Sequence, residues 1–489
     1  MSLQVFLQVQ LLGSEDFLGS TESADDGFAE LLGRCAWLSL ISEVLPRALL
    51  AEMKLSRMLL GSSGGEQFLV VLTDESIADA NAFLERASEG IAALSGGLLR
   101  LVWASTENLG AWPIAAKRLE EGIERQKATP LRGRSAISDA FTPFAESGSP
   151  GSHGYFIEFG KQIVSSSAVS WSPDNPAVLS CESGTHSWPL RDQTAPAEDD
   201  GIVFPRRFAM NEEQEVAGLA EIAAAAEGAQ RWAILRGDVD LFDLRLKRTN
   251  TIEERLQLSV LFKEFFSGEL SLLCTLPEFW RKVSILYRGG DDFAVIGAWD
   301  ALVALARELQ RVFERFVAQN LESFAGLEGK SVSMALAVAP TVDASPAAIF
   351  EQAGTQLQTA KATEPGSFHL FGRTLEWKRL ADAEELKNGL VRLVKDFGYD
   401  AGYIHDLASV YREAYSAQAT RRNKAIRVDK PWLTYMRLSR IIPASKQRDL
   451  NALRNGLITH LIGTKTANAK LRPSGRVGLE WARLATENQ

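Results

Sequence analysis

The chain has 489 residues, of which 46% are hydrophobic and 24% charged, and this balance excludes general disorder and fits several domains with their own cores. No apolar run approaches the roughly 20 residues of a membrane span, and a basic-then-apolar signal peptide is missing, so we expect a cytoplasmic protein with no membrane partner. Three scattered cysteines, Cys35, Cys181 and Cys274, show no CxxC spacing, which argues against a disulfide framework and a tetrahedral zinc site.

The net charge of −9 is unevenly distributed along the chain. Residues 420–489 hold 15 lysines and arginines against 4 acids, a net charge of +11, which leaves −20 on residues 1–419. This segregation indicates that the C-terminal end meets a polyanion or an acidic partner. A solvated basic helical bundle is the plainer interpretation of the same charges.

The first predicted element is an apolar strand without acids, "LQVFLQVQLL" at 3–12. Further on, "GGEQF" at 64–68 is followed by an apolar strand and by a helix that begins near Glu75. We assign residues 1–145 to a first lobe.

Two stretches rich in Gly, Pro, Ser or acids predict linkers or loops, "AESGSPGSHG" at 145–154 and "DQTAPAEDDG" at 192–201. Between them, "YFIEFGKQIVSSSAVSW" at 155–171 alternates as strands do. We therefore expect a small intervening β domain without zinc at 146–205.

The pattern is clearest in the second lobe, which we place at 206–375. A strand in "RWAILRGDVDLF" precedes the helix "TIEERLQLSVLFKEFFSGEL", and the hairpin "KVSILYRGGDDFAVIGAW" follows. Asp300 is the expected N-cap of the next helix, before the strand "SVSMALAVAP" and the helix "SPAAIFEQAGTQLQTAK". The order β-α-β-β-α-β is that of ferredoxin-like sheets, and a basic helical domain at 376–489 completes an α+β chain.

In this topology the first strand lies beside the hairpin, so Asp238, Asp240, Asp291 and Asp292 can share one small volume. Clustered carboxylates repel unless divalent cations lie between them, and two Mg²⁺ ions suit a phosphoryl transfer. The two glycines of the turn allow positive φ and a close approach by a nucleotide. The pattern is typical of a polymerase or cyclase palm, although Gly-Gly-Asp-Asp is also ordinary hairpin-turn chemistry.

A repeat supports two related lobes. "GGEQF" at 64–68 and "GGDDF" at 289–293 are separated by a constant offset of 225, and Gln67 stands where Asp292 stands in the second motif. The first lobe is therefore expected to have a binding or supporting role, while the second lobe carries out the chemistry. Coincidence between two Gly-Gly hairpins is the alternative.

Five blocks together resemble one known family. They are "ILRGDVD", "EFFSGEL", "ILYRGGDDFAVIGAWD", "FHLFGRTLEW" and "SVYREAYS…VDKPWLTYMRLSR", scattered over roughly residues 55–455. They resemble the large palm-containing subunit of type III CRISPR effector complexes, particularly the type III-A-like branch. The resemblance implies two ferredoxin-like palm lobes, a small intervening domain and a C-terminal helical domain. It also implies partners, namely other subunits with guide RNA and target RNA, and synthesis of cyclic oligoadenylate from ATP by the second palm once target RNA pairs with the guide.

Carried over residue by residue, the resemblance implies a site for ATP and two Mg or Mn ions. The implied metal ligands are Asp238, Asp291 and Asp292, with the carbonyl of Val239 beside them. Gly289 and Gly290 are expected over the nucleotide, Ser267 and Gly268 near its base or ribose, and Lys361 at a phosphate. Asp240 is expected to support these groups rather than to bind metal.

The chain also departs from the family pattern. Members often open with a histidine-aspartate nuclease domain, whereas this sequence begins almost directly with palm-lobe sequence. His405 and Asp406 are the only such pair and fall in a predicted helix without companion histidines, so we expect no DNA nuclease activity. The paired cysteines common in the intervening domain are replaced by the single Cys181.

The turn after Asp240 departs as well. The family's small Asn-Leu-Gly turn is replaced by "LFDLRL", in which Leu241 and Phe242 stand where backbone amides are expected to hold triphosphate.

Three functions follow from these observations. The first is an RNA-guided, metal-dependent cyclic-oligoadenylate synthase, motivated by the intact aspartates. The second is a structural subunit with a vestigial palm that caps the ribonucleoprotein, motivated by the altered turn. The third is a diguanylate cyclase, because "GGDDF" resembles the Gly-Gly-Asp-Glu-Phe motif of that group, although those enzymes carry it in a compact terminal domain.

Overall fold

The computed structural model describes residues 3–21, 26–128, 150–192, 200–204, 206–417, 426–427, 431–442, 444–462 and 470–487. It confirms the α+β class, with two similar lobes, a small sheet and C-terminal helices. Residues 145–149 and 193–199 of the two predicted linkers fall outside these residues, while 150–154 form the start of a helix, so the linker prediction is wrong there. Five basic residues of the tail also lie outside: Arg421, Arg422, Lys424, Lys430 and Lys465. Within the described part of the chain, no helix combines the length and apolar character needed to cross a bilayer.

The first lobe is a four-stranded antiparallel sheet with helices on both faces. Its strands are β1 (Gln4–Leu12), β2 (Leu60–Gly64), β3 (Gln67–Thr73) and β4 (Arg100–Glu107), and its helices are α1 (Ser14–Gly19), α2 (Gly27–Glu52), α3 (Ile77–Leu94) and α4 (Trp112–Ala128). The strand order β2-β3-β1-β4 places the opening strand between the hairpin and the last strand. This is the ferredoxin-like order that the sequence predicted.

The prediction of strands from residue 155 onward is wrong for 155–163, where a helix, α5 (Pro150–Ile163), forms, while 168–171 is a strand as predicted. Phe156, Phe159 and Ile163 are buried, and their spacing of three and four residues is that of a helix face. The helix packs on α2 at a close crossing: a Cβ on Gly160 would lie 2.4 Å from the carbonyl oxygen of Ala29. The closely spaced aromatic residues Tyr155, Phe156 and Phe159 produced an apparent alternation.

A small sheet with strand order β6-β5-β7-β8 follows. Its strands are β5 (Ala168–Trp171), β6 (Leu179–Ser180), β7 (His186–Arg191) and β8 (Ile202–Val203). The indole of Trp37 on α2 donates a 2.9 Å hydrogen bond to the carbonyl oxygen of Ala177, which ties this sheet to the first lobe. Cys181 is partly buried at the end of β6.

The second lobe repeats the ferredoxin-like order and extends it. Its strands are β9 (Trp232–Val239), β10 (Val283–Arg288), β11 (Asp292–Ala298), β12 (Val332–Val338), β13 (Ser367–Leu370) and β14 (Arg373–Glu376), and its helices are α6 (Leu219–Ala224), α7 (Phe242–Lys247), α8 (Ile252–Leu273), α9 (Trp299–Asn320) and α10 (Pro346–Thr363). The sheet order is β10-β11-β9-β12-β13-β14. The predicted β-α-β-β-α-β order is confirmed, and β13 and β14 form an added hairpin beside β12.

The helix after the hairpin begins two residues earlier than the sequence predicted. Ala298 is the N-cap of α9, and Asp300 lies in the first turn, so its assignment as the N-cap is wrong. Among the predicted apolar positions of α9, Leu302, Leu305 and Leu309 are fully buried against the sheet.

The described residues of the C-terminal part form five helices: α11 (Trp377–Lys395), α12 (Gly402–Ala417), α13 (Pro431–Ile441), α14 (Arg448–Ile462) and α15 (Pro473–Thr486). A two-stranded ribbon joins β15 (Ile426–Arg427) to β16 (Lys470–Leu471). The last helix returns to the second lobe, where the amide of Ala229 donates a 2.7 Å hydrogen bond to the carbonyl oxygen of Leu484. His405 and Asp406 are exposed on α12.

Candidate active site

Two of the predicted metal ligands face each other across neighbouring strands. Asp292, the first residue of β11, pairs in register with Asp238 near the end of β9. Asp291 lies next to them, because the amide of Val239 donates a 2.9 Å hydrogen bond to its carbonyl oxygen. The strand pairing therefore brings together the three acids that the sequence selected as ligands, while the Val239 side chain is buried in the core.

The pKa values of these carboxyl groups are raised above their ordinary range. Burial, Asp238 and Glu66 raise the pKa of Asp292 to about 8. Burial and Asp292 raise the pKa of Asp291 well above its usual range, and burial raises that of Asp238 even though Lys361 opposes the shift. Partly buried negative charges that repel one another have this effect.

Lys361 lies at the site, in the last turn of α10. Its ammonium group donates a 2.6 Å hydrogen bond to Oδ1 of Asp238. The sequence predicted a phosphate contact for this lysine, and a cation at this position is suitably placed for one. In this structure its partner is the carboxylate.

Asp240 is buried and points toward β12 rather than into the site. Its Oδ1 accepts a 2.7 Å hydrogen bond from the Ser333 hydroxyl, and its Oδ2 accepts bonds from the Ser331 hydroxyl (2.6 Å) and the Gly366 amide (2.7 Å). With both oxygens bonded to protein donors, Asp240 ties β9 to the strands beside it. This geometry agrees with the supporting role that the sequence suggested.

The glycines of the hairpin, Gly289 and Gly290, do not have positive φ, so that expectation is wrong. Gly289 is required for a different reason: a Cβ there would lie 1.8 Å from Oδ1 of Asp292 and 2.8 Å from the Tyr287 hydroxyl oxygen. No atom lies within 4 Å of the Cβ position of Gly290. Space for a close approach to the backbone therefore exists at the second glycine.

Ser267 lies on α8 beside the same hairpin and is buried. Its hydroxyl accepts a hydrogen bond from Arg288, the residue before the turn, and Arg288 also donates a 2.7 Å bond to the carbonyl oxygen of Val203. The space lined by Ser267 and Gly289 measures about 20 Å³, enough for a water molecule only. Contact of Ser267 and Gly268 with a base stays a prediction, and it requires this space to widen.

The unusual turn after Asp240 begins α7. Leu241 is the N-cap, with a left-handed φ of 58°, and its side chain is half exposed. Phe242 is buried, with its ring centroid 4.6 Å from that of Phe262. The larger of the two side chains therefore packs into the core and does not cover the turn.

Three residues beside the acids were missed by the sequence analysis. Tyr287, two residues before the turn, donates a hydrogen bond to Asp292. Arg236, on the same face of β9 as Asp238, forms a two-bonded ion pair with Glu15 of the first lobe, at 2.8 and 2.5 Å. The alternation of β9 placed Arg236 beside the site, but its partner lies 221 positions away along the chain.

A cleft of about 650 Å³ opens beside Asp238 and Asp292. Arg236 and Glu15 line one part of it, and Gly354 on α10 lines another. This volume lies in the range of small-molecule sites, and both register-paired carboxylates border it.

The donor set fits a divalent cation that is completed by substrate. Asp238 and Asp292 are paired carboxylates, and their raised pKa values indicate negative charge without enough positive charge to balance it. Among the described residues, no three acidic, histidine or cysteine side chains are arranged to hold a metal by themselves. Mg²⁺ commonly uses one or two carboxylates together with substrate phosphates, which agrees with this arrangement.

The first lobe contains the equivalent positions with different chemistry. Gln67, the first residue of β3, pairs in register with Gln10 near the end of β1, as Asp292 pairs with Asp238. Each first strand is also followed by a left-handed N-cap and a six-residue helix, at Gly13 and at Leu241. Amide side chains therefore replace the carboxylates at the equivalent of the acidic pair.

Comparison with known families identifies the second lobe. Residues 231–366 match the family model described as Cas10/Cmr2, second palm domain. The resemblance to a type III palm-containing subunit is thus confirmed over these residues.

Curated relatives that match the chain are named CRISPR system single-strand-specific deoxyribonuclease Cas10/Csm1 (subtype III-A). The protein of Methanocaldococcus jannaschii is 34% identical over 116 residues, covering 21% of this chain and 14% of the relative. That of Enterococcus italicus is 31% identical over 123 residues, covering 24% and 16%. The alignments thus span less than a fifth of either relative's length.

Solved Csm1–Csm4 structures are similar over almost the whole chain. The cassette in complex with one ATP has a TM-score of 0.72 at 17% identity and covers 100% of this chain and 70% of that one. The complex with cA4 has a TM-score of 0.72 at 17% identity, and the apo cassette 0.74 at 16%; both cover 99% of this chain and 70% of theirs. At this identity the likeness shows a shared fold.

Proposed function

We propose that this chain is the palm-containing subunit of a type III CRISPR effector complex, and that its second lobe joins ATP molecules into cyclic oligoadenylate when target RNA pairs with the guide RNA. The observation that carries the proposal is the register pair of Asp238 and Asp292, with Asp291 on the adjoining turn and Lys361 beside them. The palm-family match over 231–366 supports it.

The proposed reaction is a nucleotidyl transfer. A ribose hydroxyl of one ATP attacks the α-phosphorus of another, a phosphorus–oxygen bond forms, and the bond to the bridging oxygen breaks to release pyrophosphate. The hydroxyl proton passes to solvent or to a nearby carboxylate. Asp238, Asp291 and Asp292 would hold Mg or Mn, which would stabilise the charge on the attacking and leaving oxygens.

The residues of the chain have distinct parts in this reaction. The carboxylates of Asp238 and Asp292 border the cleft, where they would hold the cation that positions the reacting phosphate. The ammonium group of Lys361 transfers its hydrogen bond from Asp238 to a phosphate oxygen and offsets the charge that develops there. Asp240 keeps β9 in place through Ser331 and Ser333.

Partners are part of the proposal. Csm1–Csm4 assemblies share the fold of this chain, so we expect a neighbouring subunit of that kind. The net charge of +11 on residues 420–489 suits contact with guide or target RNA, or with an acidic subunit.

The test is to supply the assembled complex, with and without guide-matched RNA, with ATP and Mg²⁺ or Mn²⁺, and to identify the products by mass. The expected result is cyclic oligoadenylate with matching RNA only, and none from an Asp291→Ala/Asp292→Ala double variant. Product from the double variant contradicts the site. No product from a wild-type complex that binds its target contradicts the activity and favours a scaffolding subunit with a vestigial palm. Cyclic diguanylate from GTP alone favours the third function.

A further inference from the structure

The hairpin turn of the first lobe has a different conformation from its counterpart in the second. Gly64 pairs with Gln67, so Gly65 and Glu66 form a two-residue loop, and both have a φ of 62°. Positive φ at both loop residues is the requirement of a type I′ turn. We call residues 64–66 the supporting turn and residues 289–292 the catalytic turn.

The two turns touch. A Cβ built on Gly65 would lie 3.1 Å from the backbone nitrogen of Gly290, a separation tighter than ordinary side chains accept. Glu66 is also near enough to influence Asp292 and Tyr287 electrostatically. The supporting turn therefore lies directly against the catalytic turn, and a side chain at residue 65 would push against the backbone of Gly290.

A partly buried ion pair holds the supporting turn from the opposite lobe. Lys263 on α8 donates hydrogen bonds to the carboxylate of Glu43 on α2 and, at 2.9 Å, to the carbonyl oxygen of Ser63, the residue before the supporting turn. The Ser63 hydroxyl donates a 2.7 Å bond to Glu43. Burial alone would raise the pKa of Glu43, but Lys263 and Arg47 outweigh burial and hold it at about 2. The Glu43 carboxylate is therefore ionised, and it accepts hydrogen bonds from Lys263 and Ser63.

The same face of α8 also holds the catalytic turn. Ser267 lies one helical turn after Lys263, and it accepts a hydrogen bond from Arg288, which precedes the catalytic turn. The space between these groups measures about 20 Å³, which leaves no room for a nucleotide. In this geometry Lys263 bonds to protein groups and not to substrate.

We propose that Lys263 is a positioning residue for the nucleotidyl transfer: through Ser63 and Glu43 it fixes the supporting turn, and the supporting turn holds the catalytic turn in the arrangement that places Asp291 and Asp292. The degenerate first lobe thus serves as a brace for the active site. This inference rests on the proposed function for its kinetic part only.

The structural part of the test needs no activity. Two backbone hydrogen bonds report on the catalytic turn: the Gly289 amide bonds to the carbonyl oxygen of Asp292 (2.7 Å), and the Val239 amide to that of Asp291 (2.9 Å). Hydrogen exchange is measured at these amides in the full chain, in wild type and in Lys263→Met. Exchange should be on the order of tenfold faster in the variant, because local opening becomes easier. Unchanged exchange overturns the proposal.

The matched control is a second ion pair between the lobes. Lys247 on α7 lies 2.6 Å from Glu120 on α4, and both side chains are about half exposed. Lys247→Met removes an inter-lobe charge pair without touching either turn, so exchange at Gly289 and Val239 should not change. An equal acceleration in this control shows a general loosening of the lobes and also overturns the proposal.

The kinetic part uses the assembled complex. Lys263→Met should lower kcat on the order of 10²-fold, as small misplacements of reacting groups do, with KM within about a factor of two. Lys263→Arg, which keeps the charge and a donor, should recover most of the rate. A raised KM with unchanged kcat means that Lys263 binds nucleotide and contradicts the positioning role. If the wild-type complex makes no product, the proposed function is contradicted. Hydrogen exchange at the Gly289 and Val239 amides still tests whether the supporting turn braces the catalytic turn.

A second variant covers the case in which Lys263→Met fails to fold. Gly65→Ala introduces the Cβ that meets Gly290, and Gly97→Ala is its control, because Gly97 also has a positive φ (86°) but no atom within 4 Å of its Cβ position. Both variants carry the backbone strain, and only Gly65→Ala should accelerate exchange at Gly289. Equal effects of the two variants contradict the bracing contact.

Discussion

The ammonium group of Lys361 lies 2.6 Å from the carboxylate of Asp238, and this bond joins the last turn of α10 to the end of β9. Without a divalent cation, the lysine is the nearest positive partner that the structure gives this carboxylate. A cation bound between Asp238 and Asp292 would compete for the same oxygens. The lysine is then free to turn to a phosphate oxygen.

The first prediction concerns Lys361→Met. It should lower the rate of ATP consumption by the complex on the order of 10²-fold, the usual effect of removing one preorganised partner of developing charge. Steady-state kinetics on wild type and variant measures it. Lys378→Met, an exposed lysine on α11, is the control and should leave the rate unchanged. An equal rate in Lys361→Met contradicts the phosphate role.

The second prediction is a pH dependence of stability. The folded-state pKa of Asp292, about 8, lies above the ordinary value of 3.8, so the folded chain binds more protons than the unfolded chain between these values. Stability should therefore fall as pH rises through this window. In the metal-free chain, Asp292→Asn should raise the midpoint of thermal unfolding at pH 8.5, and the gain should shrink toward pH 6.

Thermal unfolding of wild type and Asp292→Asn at several pH values measures this difference. Asp382→Asn on α11 is a control, because that carboxyl group is far from the cluster along the chain and lies outside the palm sheet. A gain that does not depend on pH contradicts the raised pKa.

The third prediction separates the two glycines of the catalytic turn. Gly289→Ala should destabilise the chain by about 1–3 kcal/mol, because the added Cβ collides with Asp292 and overpacking has this cost. Gly290→Ala should leave the unfolding midpoint unchanged, since its Cβ position is open. If a nucleotide approaches the backbone there, Gly290→Ala should still raise KM for ATP. Loss of stability in both variants contradicts the geometry of the turn.

The fourth prediction tests the crossing of α2 and α5. Gly160→Ala should destabilise the chain by about 1–3 kcal/mol, because its Cβ would lie 2.4 Å from the carbonyl oxygen of Ala29. Gly154→Ala in the same helix has no atom within 4 Å, so it should be neutral or stabilising by up to about 1 kcal/mol. Denaturant titration of both variants compares them, and similar losses contradict the close crossing.

Much of the palm could be predicted from sequence because local patterns were enough. The apolar run that ends at Asp238, the hairpin with Asp291 and Asp292, and the helix that carries Lys361 each follow from periodicity and turn residues. The order of the elements then implied which strands are neighbours. The strand prediction for residues 155–163 was wrong because closely spaced aromatic residues imitate strand alternation.

The sequence by itself determined the β-α-β-β-α-β elements of the second lobe and the three aspartates, since strand pairing follows from the order of elements and places Asp238 opposite Asp292. Only the tertiary structure decided which groups surround them. Glu15, Glu43 and Glu66 come from the first lobe, and they meet Arg236, Lys263 and Asp292 across separations of about 220 residues. No local pattern encodes such contacts, because they depend on how two lobes pack, and packing is fixed by the shape and charge of whole surfaces.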